Sequence, residues 1–303
     1  MGADRPDEFD MTSADLGDRS PDLGRSGCFD RDADSGGRVD VELESRDRDS
    51  YYEQLQRAAW DEAAEHFKKE WAEHQERWPA EARGRVDRSE DPEGSWRGDS
   101  GRFLDRAANA EVDERYQRIA ETERDIVSPA MREIEACDPD RRLVGFDHRL
   151  KGPDRIKDKV ADQLQAQPEL TNVQAIATVK DAIRFTFHYS EESYAIGVRA
   201  DTERLESRGF QQIERRNSWT DTQYRGINSR WREPDSGLTF EVQFHTHVSF
   251  EAKQLTHGAY ERVRDPRTTP DERRELENLQ REVTGRISIP DGVIDILNYP
   301  ERR

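Results

Sequence analysis

The sequence predicts a domain of mixed helices and strands, α/β or α+β in class, over residues 138–303, preceded by a disordered and helical N-terminal region. Three observations carry this. Hydrophobic residues make up only 32% of the 303 and charged residues 38%, with a mean hydropathy of −1.12, so a long part of the chain lacks the apolar surface to pack. Helical and strand-like apolar spacing alternate only after Asp138. Finally, "EPDSG" at 233–237 reads as a turn joining two antiparallel strands.

In residues 1–50, Asp, Arg, Gly and Ser leave hardly two apolar residues together, too few to offset chain entropy, so disorder is expected there. From Tyr51 the spacing of Trp60, Ala64, Phe67, Trp71 and Trp78 predicts an amphipathic helix, closed by Pro79. Residues 79–102 mix Gly, Pro and charge and read as a linker. Val112, Tyr116, Ile119 and Ala120 mark a second helix, followed by "SPAMREIEAC", where Ser128 suits a cap and Pro129 a first turn. Residues 51–137 are thus expected to be a helical region divided by a linker.

Within 138–303, "GPDRIKDKVADQL" is helical, "AIRFTFHY" strand-like, and "EESYAIGVRADTERLESRG" helical with Gly209 as its stop. "LTFEVQFHT" reads as a strand and "SFEAKQLTHGAYERVR" as the helix after it. A last helix is predicted at "TPDERRELENLQREV", with Thr269 as cap, Pro270 in the first turn and Glu272 completing a capping box.

The bulk numbers exclude several classes. A formal net charge of −18 argues against attraction to duplex DNA, so any phosphate site must be a local basic pocket. No apolar run approaches membrane-spanning length and the N-terminal residues have no signal-peptide core, so a soluble protein without a Sec-type signal, acting in the cytoplasm, is expected. Cys28 and Cys137 lack the spacing of a zinc site and are expected to be free thiols. His245 and His247 share a strand face, yet nothing completes a tetrahedral zinc set around them, and no Walker loop, Rossmann fingerprint or nucleophile elbow occurs.

Several constellations could carry chemistry. Arg149, Lys151, Arg155, Lys157 and Lys159 crowd a loop that enters a helix, where free N–H groups and the dipole favour an anion; the alternative is a solvated face with intrahelical pairs to Asp154, Asp158 and Asp162. Asp181 at a strand start could contribute to a Mg²⁺ site, or be a turn residue. Tyr224 and Asn228 fall in the strand entering "EPDSG", with Arg215, Arg216, Arg225, Arg230 and Arg232 near enough to hold a polyphosphate; a surface hairpin of alternating Arg and Glu is the alternative. In "EVQFHTH", Glu241, Gln243 and His245 share one face, either a wet sheet surface or the floor of a site.

Taken in order, these pieces resemble the synthetase domain of the RelA/SpoT family, the alarmone synthetases. "RLKGPDRIKDKV" is similar to the family's Arg-x-Lys helix, with its matching lysine at Lys159, and "DAIRFTF" to its Asp-and-Arg strand. "YRGIN" resembles its Tyr-Gln-Ser-Leu-His stretch and "EVQFHT" its Glu-Val-Gln-Ile-Arg-Thr strand, so the likeness spans residues 140–264. The resemblance implies an α+β fold, a mixed β-sheet flanked by helices of nucleotidyltransferase-like type. It also implies transfer of the β,γ-pyrophosphate of ATP to the 3′-hydroxyl of a purine nucleotide.

By the same resemblance Asp181 and Glu241 would bind Mg²⁺, with Glu241 taking the proton of the attacking hydroxyl. Tyr224 would stack on the acceptor base. Arg149, Lys151, Lys159 and Arg184 would cradle donor phosphates, and Arg225, Asn228, Gln243 and His245 would line the nucleotide site. The chain departs from the pattern at three points. Asp181 precedes Arg184 by three residues rather than five, which by strict strand alternation demands a bulge or an early strand start. Asn228 stands for the usual His, and His245 for the usual Arg.

GDP or GTP, an adenine nucleotide and a tRNA 3′ end stay open as acceptors. Without a hydrolase motif before the synthetase region, the layout resembles a small alarmone synthetase or a toxin-type member, the latter implying an antitoxin or immunity partner. Two rivals belong to other classes: a nucleotide-sensing module that lost its chemistry, and an interaction scaffold acting through the Trp-rich helix.

Overall fold

The alternation of apolar residues in "RFTFHY" and "TFEVQFHT" builds two neighbouring strands of a mixed sheet. The computed structural model describes residues 39–79 and 86–300, with side chains from residue 57. The expected disorder of residues 1–38 lies outside these. Among the described residues two compact units emerge, one within 78–251 with 288–300, the other of residues 39–77 with 252–287.

In the larger unit, β3 (Arg141–Val144), β4 (Arg184–Tyr189), β5 (Gln211–Asn217), β6 (Ile227–Arg232) and β7 (Thr239–Thr246) form one sheet, while β1 (Trp96–Arg97) and β2 (Phe103–Leu104) form a small hairpin. The sheet order is β3-β4-β7-β6-β5. Only β4 and β7 run parallel, with Arg184 opposite Glu241, Thr186 opposite Gln243 and His188 opposite His245. Helices flank the sheet, so the fold is α+β. The helices of this unit are α2 (Arg106–Thr122), α3 (Ser128–Ala136), α4 (Pro153–Ala166), α5 (Asn172–Ala177) and α6 (Tyr194–Ser207), joined by the first turn of α7 (His247–Arg264).

Because strand side chains alternate, one sheet face gathers Phe185, Phe187 and Tyr189, then Phe240, Val242 and Phe244, then Ile227 and Trp231. All are buried. Phe187 stacks on Phe244 at 6.2 Å between ring centroids, and Tyr194 of α6 meets Trp219 edge-on at 5.0 Å. The opposite face carries the polar residues. The turn at "EPDSG" closes β6 onto β7 as expected, with the Glu233 carboxylate accepting from the backbone N–H groups of Asp235 and Ser236 and with Gly237 at φ 71°. Tyr224, read above as a strand residue, precedes β6, which starts at Ile227.

A buried ion-pair network ties this core together. Arg141 of β3 is 2% exposed and bonds Asp201 of α6, itself fully buried; Tyr189 donates to the same carboxylate at 2.7 Å and Arg204 at 2.7 Å. The same Nη1 of Arg141 also donates to the Ile134 carbonyl at 2.9 Å, and Nη2 donates to Asp138 at 2.9 Å. Burial foremost, then Asp201, pushes the Tyr189 phenol well above its ordinary value.

Several expectations are corrected. The linker over 79–102 is not structureless along its described part: β1 and β2 pair, and Leu104 is buried with Ala108 and Val112 of α2 and Ile156 and Val160 of α4. This hairpin also consumes the acidic stripe of α4. Trp96 Nε1 donates to Asp154 at 2.8 Å, Ser100 to Asp158 at 2.6 Å and Arg102 to Asp162 at 2.6 Å, so those carboxylates bind the hairpin. The helices of 106–136 belong with the sheet, because Val112, Tyr116 and Ile119 pack on the same cluster as α4 and α5. Ser128 caps nothing, since α3 continues from a π-helical turn at Glu123–Val127 and has no free N-terminus; its hydroxyl bonds the buried Glu123 instead.

In the smaller unit, α1 (Val39–Arg77) begins twelve residues ahead of Tyr51, so helix replaces expected disorder over 39–50. Trp60, Phe67 and His74, seven apart, are its buried positions. His74 stacks on Trp71 at 5.3 Å, and its Nδ1 lies 3.0 Å from Glu275 of α8 (Pro270–Gly285). Thr269 caps α8 by accepting from Glu272 N, but the Glu272 carboxylate turns to Arg262 at 2.5 Å, which leaves only half of the capping box. No helix among the described residues is long and apolar enough to cross a membrane.

Replacing Asp201 by Ala strands the Arg141 charge in the core. A loss of about 3–5 kcal/mol is expected in urea unfolding, against less than about 1 kcal/mol for removing an exposed ion pair such as Arg118–Glu114.

Candidate functional site

Asp181 is the most heavily committed acid near the polar sheet face. It lies in the turn before β4, not on the strand, so alternation does not govern it and no bulge is needed. Only 2% exposed, it accepts from Lys159 Nζ at 2.8 Å on one oxygen, and on the other meets Arg184 Nη2 at 3.0 Å and Lys151 Nζ at 3.3 Å. Backbone pairing explains the convergence. Leu150 bridges Ile183 antiparallel, with Lys151 N donating to Ala182 O and Arg184 N to Arg149 O, so the segment before α4 runs alongside the entry to β4. Lys159 projects from α4 to the same carboxylate.

Arg184 continues the network across the parallel strand pair. Its Nε donates to Glu241 Oε2 at 3.1 Å, while Gln243 Nε2 donates to Glu241 Oε1 at 2.5 Å. Burial works against the Arg184 charge, but Glu241 and Asp181 outweigh it and hold the guanidinium above its ordinary value. Burial likewise favours protonating Asp181, yet Arg184, Lys151 and Lys159 together hold its carboxyl below the usual range. Lys151 is pushed down, first by burial, with Asp181 opposing and Arg184 and Lys159 adding to the fall.

Beside Glu241 the face continues with the half-buried Tyr224, whose hydroxyl donates to Asn228 Oδ1 at 2.8 Å and lies 3.0 Å from His245 Nε2. Burial, then Glu241, pushes the phenol well above its ordinary value. Gln243 and His245 are both fully buried, so this face is no wet sheet surface. His247 starts α7, and its ring meets His188 edge-on at 5.0 Å.

Other candidate residues have different partners. Arg149 donates to Glu123 at 2.6 Å and Ser128 at 2.9 Å and lies over Phe146 at 4.2 Å. Lys157 pairs with Asp113, Arg230 with Glu214, Arg216 with Asp221, and Arg215 donates to the Leu297 carbonyl. Arg225 is half-buried, and burial lowers its pKa. One residue escaped sequence reading: Ser249, in Thr246-x-x-Ser249 at the start of α7. Ser249 N donates to Thr246 Oγ1 and Thr246 N to Ser249 Oγ, the reciprocal pattern of a capping box, and this spacing was the available signal.

In structure, the chain is similar to small alarmone synthetases. Small alarmone synthetase 1 from Bacillus subtilis aligns at 14% identity over 56% of this chain and 87% of its own, with a TM-score of 0.38. The same protein bound to its product pppGpp aligns at 16% over 60% and 91%, with a TM-score of 0.39. A GTP pyrophosphokinase family protein from Streptococcus pneumoniae gives 17% over 56% and 85%, with a TM-score of 0.35. The likeness is one of fold. No family model matches the chain, and no curated protein matches it.

Chemically, the arrangement offers two carboxylates joined by one guanidinium, two ammonium groups beside them, and an aromatic ring. Among the described residues no group of three or more His, Cys, Asp or Glu side chains is placed to hold a metal. Asp181 and Glu241 are the carboxylates of this face that could offer oxygens to Mg²⁺, which keeps several waters and needs only one or two carboxylates when substrate phosphates complete its shell. Such an ion competes with Arg184, which bonds both carboxylates.

The Asp181 ion pairs carry a pH signature. With the folded carboxyl below its unfolded value of about 3.9, the unfolded chain binds the extra proton between the two, so the stabilisation is complete above about pH 3.9 and lost as pH falls through the folded value. Urea unfolding of native protein and Asp181→Asn is expected to show the variant less stable at about pH 7, with the gap narrowing toward about pH 3.

Proposed function

We propose that the larger unit is a nucleotide pyrophosphokinase that moves the β,γ-diphosphate of ATP to the 3′-hydroxyl of a purine nucleotide. The observation that carries this reading is the Asp181–Arg184–Glu241 bridge with Lys151 and Lys159 at one end of it. Diphosphate transfer asks chiefly for alignment and cations on developing charge, and a cluster with three cations and two carboxylates supplies both kinds of group.

In the reaction, the acceptor's 3′-oxygen attacks the β-phosphorus of ATP, the bond from that phosphorus to the oxygen on the α-phosphorus breaks, and AMP leaves. Glu241 takes the proton of the attacking hydroxyl, and its bond from Gln243 orients the carboxylate. Arg184, Lys151 and Lys159 turn from Asp181 toward the donor phosphates as these enter. Tyr224 presents its ring to the acceptor base. Asp181 and Glu241 would hold Mg²⁺, which when bound neutralises phosphate charge.

Guanosine and adenosine nucleotides and a tRNA 3′ end are the acceptors to be tested. A toxin role, with a dedicated antitoxin or immunity partner, is a further reading of the resemblance. The rival of a chemically silent sensor is disfavoured by Glu241, which keeps both an acidic side chain and the Gln243 bond that orients it.

The test supplies Mg²⁺ and ATP labelled on the γ-phosphate, offering GDP, GTP, AMP, ADP, ATP or tRNA in turn. Label is expected on at least one acceptor. Glu241→Gln is expected to lower kcat by about 10²-fold or more while the protein stays folded. Label on no acceptor, or equal label with the variant, overturns the reading.

A further inference from the structure

Four side chains beside Glu241 form a chain of hydrogen bonds that the phosphate chemistry does not use. Ser249 Oγ lies 2.9 Å from His245 Nδ1, His245 Nε2 lies 3.0 Å from the Tyr224 hydroxyl, and that hydroxyl donates to Asn228 Oδ1 at 2.8 Å. The direction of the middle bond follows from the last. A hydroxyl has one proton, so Tyr224, donating to Asn228, accepts from His245. The imidazole therefore carries a proton on Nε2, while the single Ser249 hydroxyl proton is shared between Nδ1 at 2.9 Å and the Thr246 carbonyl at 3.2 Å.

This is a built arrangement. His245 is fully buried and Ser249 nearly so, and Ser249 is itself held by its reciprocal bonds to Thr246 at the first turn of α7. Phe250, one residue further, meets the His245 ring edge-on at 5.8 Å. The imidazole stands perpendicular to the Tyr224 ring, centroids 5.5 Å apart. On the remaining side the backbone closes in at Gly226. A Cβ there would stand 2.7 Å from His245 Cε1, 3.0 Å from its Nδ1 and 2.9 Å from the Tyr224 hydroxyl, so any residue but glycine displaces the pair. A tyrosine needed only as a flat apolar surface requires none of this.

We propose that His245, backed by Ser249, is a positioning residue that fixes the Tyr224 ring through its hydroxyl and so sets affinity for the acceptor nucleotide. The proposal rests on the reading of Tyr224 as the surface on which the acceptor base stacks. It also accounts for both departures from the resembled family in this region. Asn228 and His245 bond the same hydroxyl, so the two unusual residues form one unit.

Tyr224→Phe is the discriminating variant, because it keeps the stacking ring and removes the hydroxyl alone. Its KM for the acceptor is expected to rise about threefold to tenfold, the range of one net hydrogen bond, with kcat and the KM for ATP within about twofold. Ser249→Ala is expected to move the same constant in the same direction. Joined with Tyr224→Phe it is expected to add less than the product of the single effects, since the two act in one chain.

A second readout needs no activity. ¹⁵N-edited NMR of the histidine ring nitrogens is expected to find His245 protonated on Nε2 in the native protein and altered in Tyr224→Phe. Unchanged acceptor KM in Tyr224→Phe, multiplying effects in the double variant, or a His245 with no proton on Nε2 overturns the proposal. If no acceptor is labelled, the pyrophosphokinase reading fails on its own, and the tautomer measurement still decides whether the chain of bonds exists.

Discussion

The site depends on one guanidinium placed between two carboxylates. Arg184 faces Glu241 because β4 and β7 pair in parallel at that register, and it reaches Asp181 because the turn before β4 brings that residue three positions back. A slip of one residue in the pairing would carry Arg184 to the core face and put Phe185 in its place, so the apolar face enforces the polar one. Phe185, Phe187, Val242 and Phe244 thus do more than fill the core: they fix the register on which the charges meet.

Burying such a face is costly unless each group is bonded. The protein meets that requirement with directional pairs: Gln243 to Glu241, Lys159 and Lys151 to Asp181, and Ser249 to His245. A similar solution recurs behind the opposite face, where Arg141, Asp201, Tyr189 and Arg204 satisfy one another. The two networks differ in exposure. The Arg141 network is sealed in the core and holds the elements in place, whereas the cations around Asp181 keep partial exposure, 24% for the Lys159 side chain and 14% for that of Arg184.

Strong periodicity made α4, β4, α6, β7, α7 and α8 readable, and Gly237 in its turn marked the β6–β7 hairpin. Short or irregular elements were not readable. β3 has four residues of which two are arginines, and β5 has Ile213 as its one apolar residue, so neither shows an apolar alternation. Among the site residues, Glu241, Gln243 and His245 could be grouped from strand parity alone, but Asp181 could not, because parity fails in a turn. Ser249 and Gly226 carry no chemical signal of their own; each matters through what stands beside it in space. The hairpin at 96–104 was hidden by its composition, since glycine and charge suggest a loop until the carboxylates of α4 are seen to receive it.

The parallel pairing of β4 with β7 also governs when the site comes into existence. Arg184 and Glu241 are 57 positions apart, with α6, β5 and β6 between them. No local event can join them, and closing so long a segment has an entropic cost that only the completed sheet repays. A chain still emerging from the ribosome exposes Asp181, Lys151 and Lys159 well before Glu241 has been made. A chain in which β7 has not yet joined the sheet therefore lacks the bridge, and with it the chemistry proposed for the finished protein.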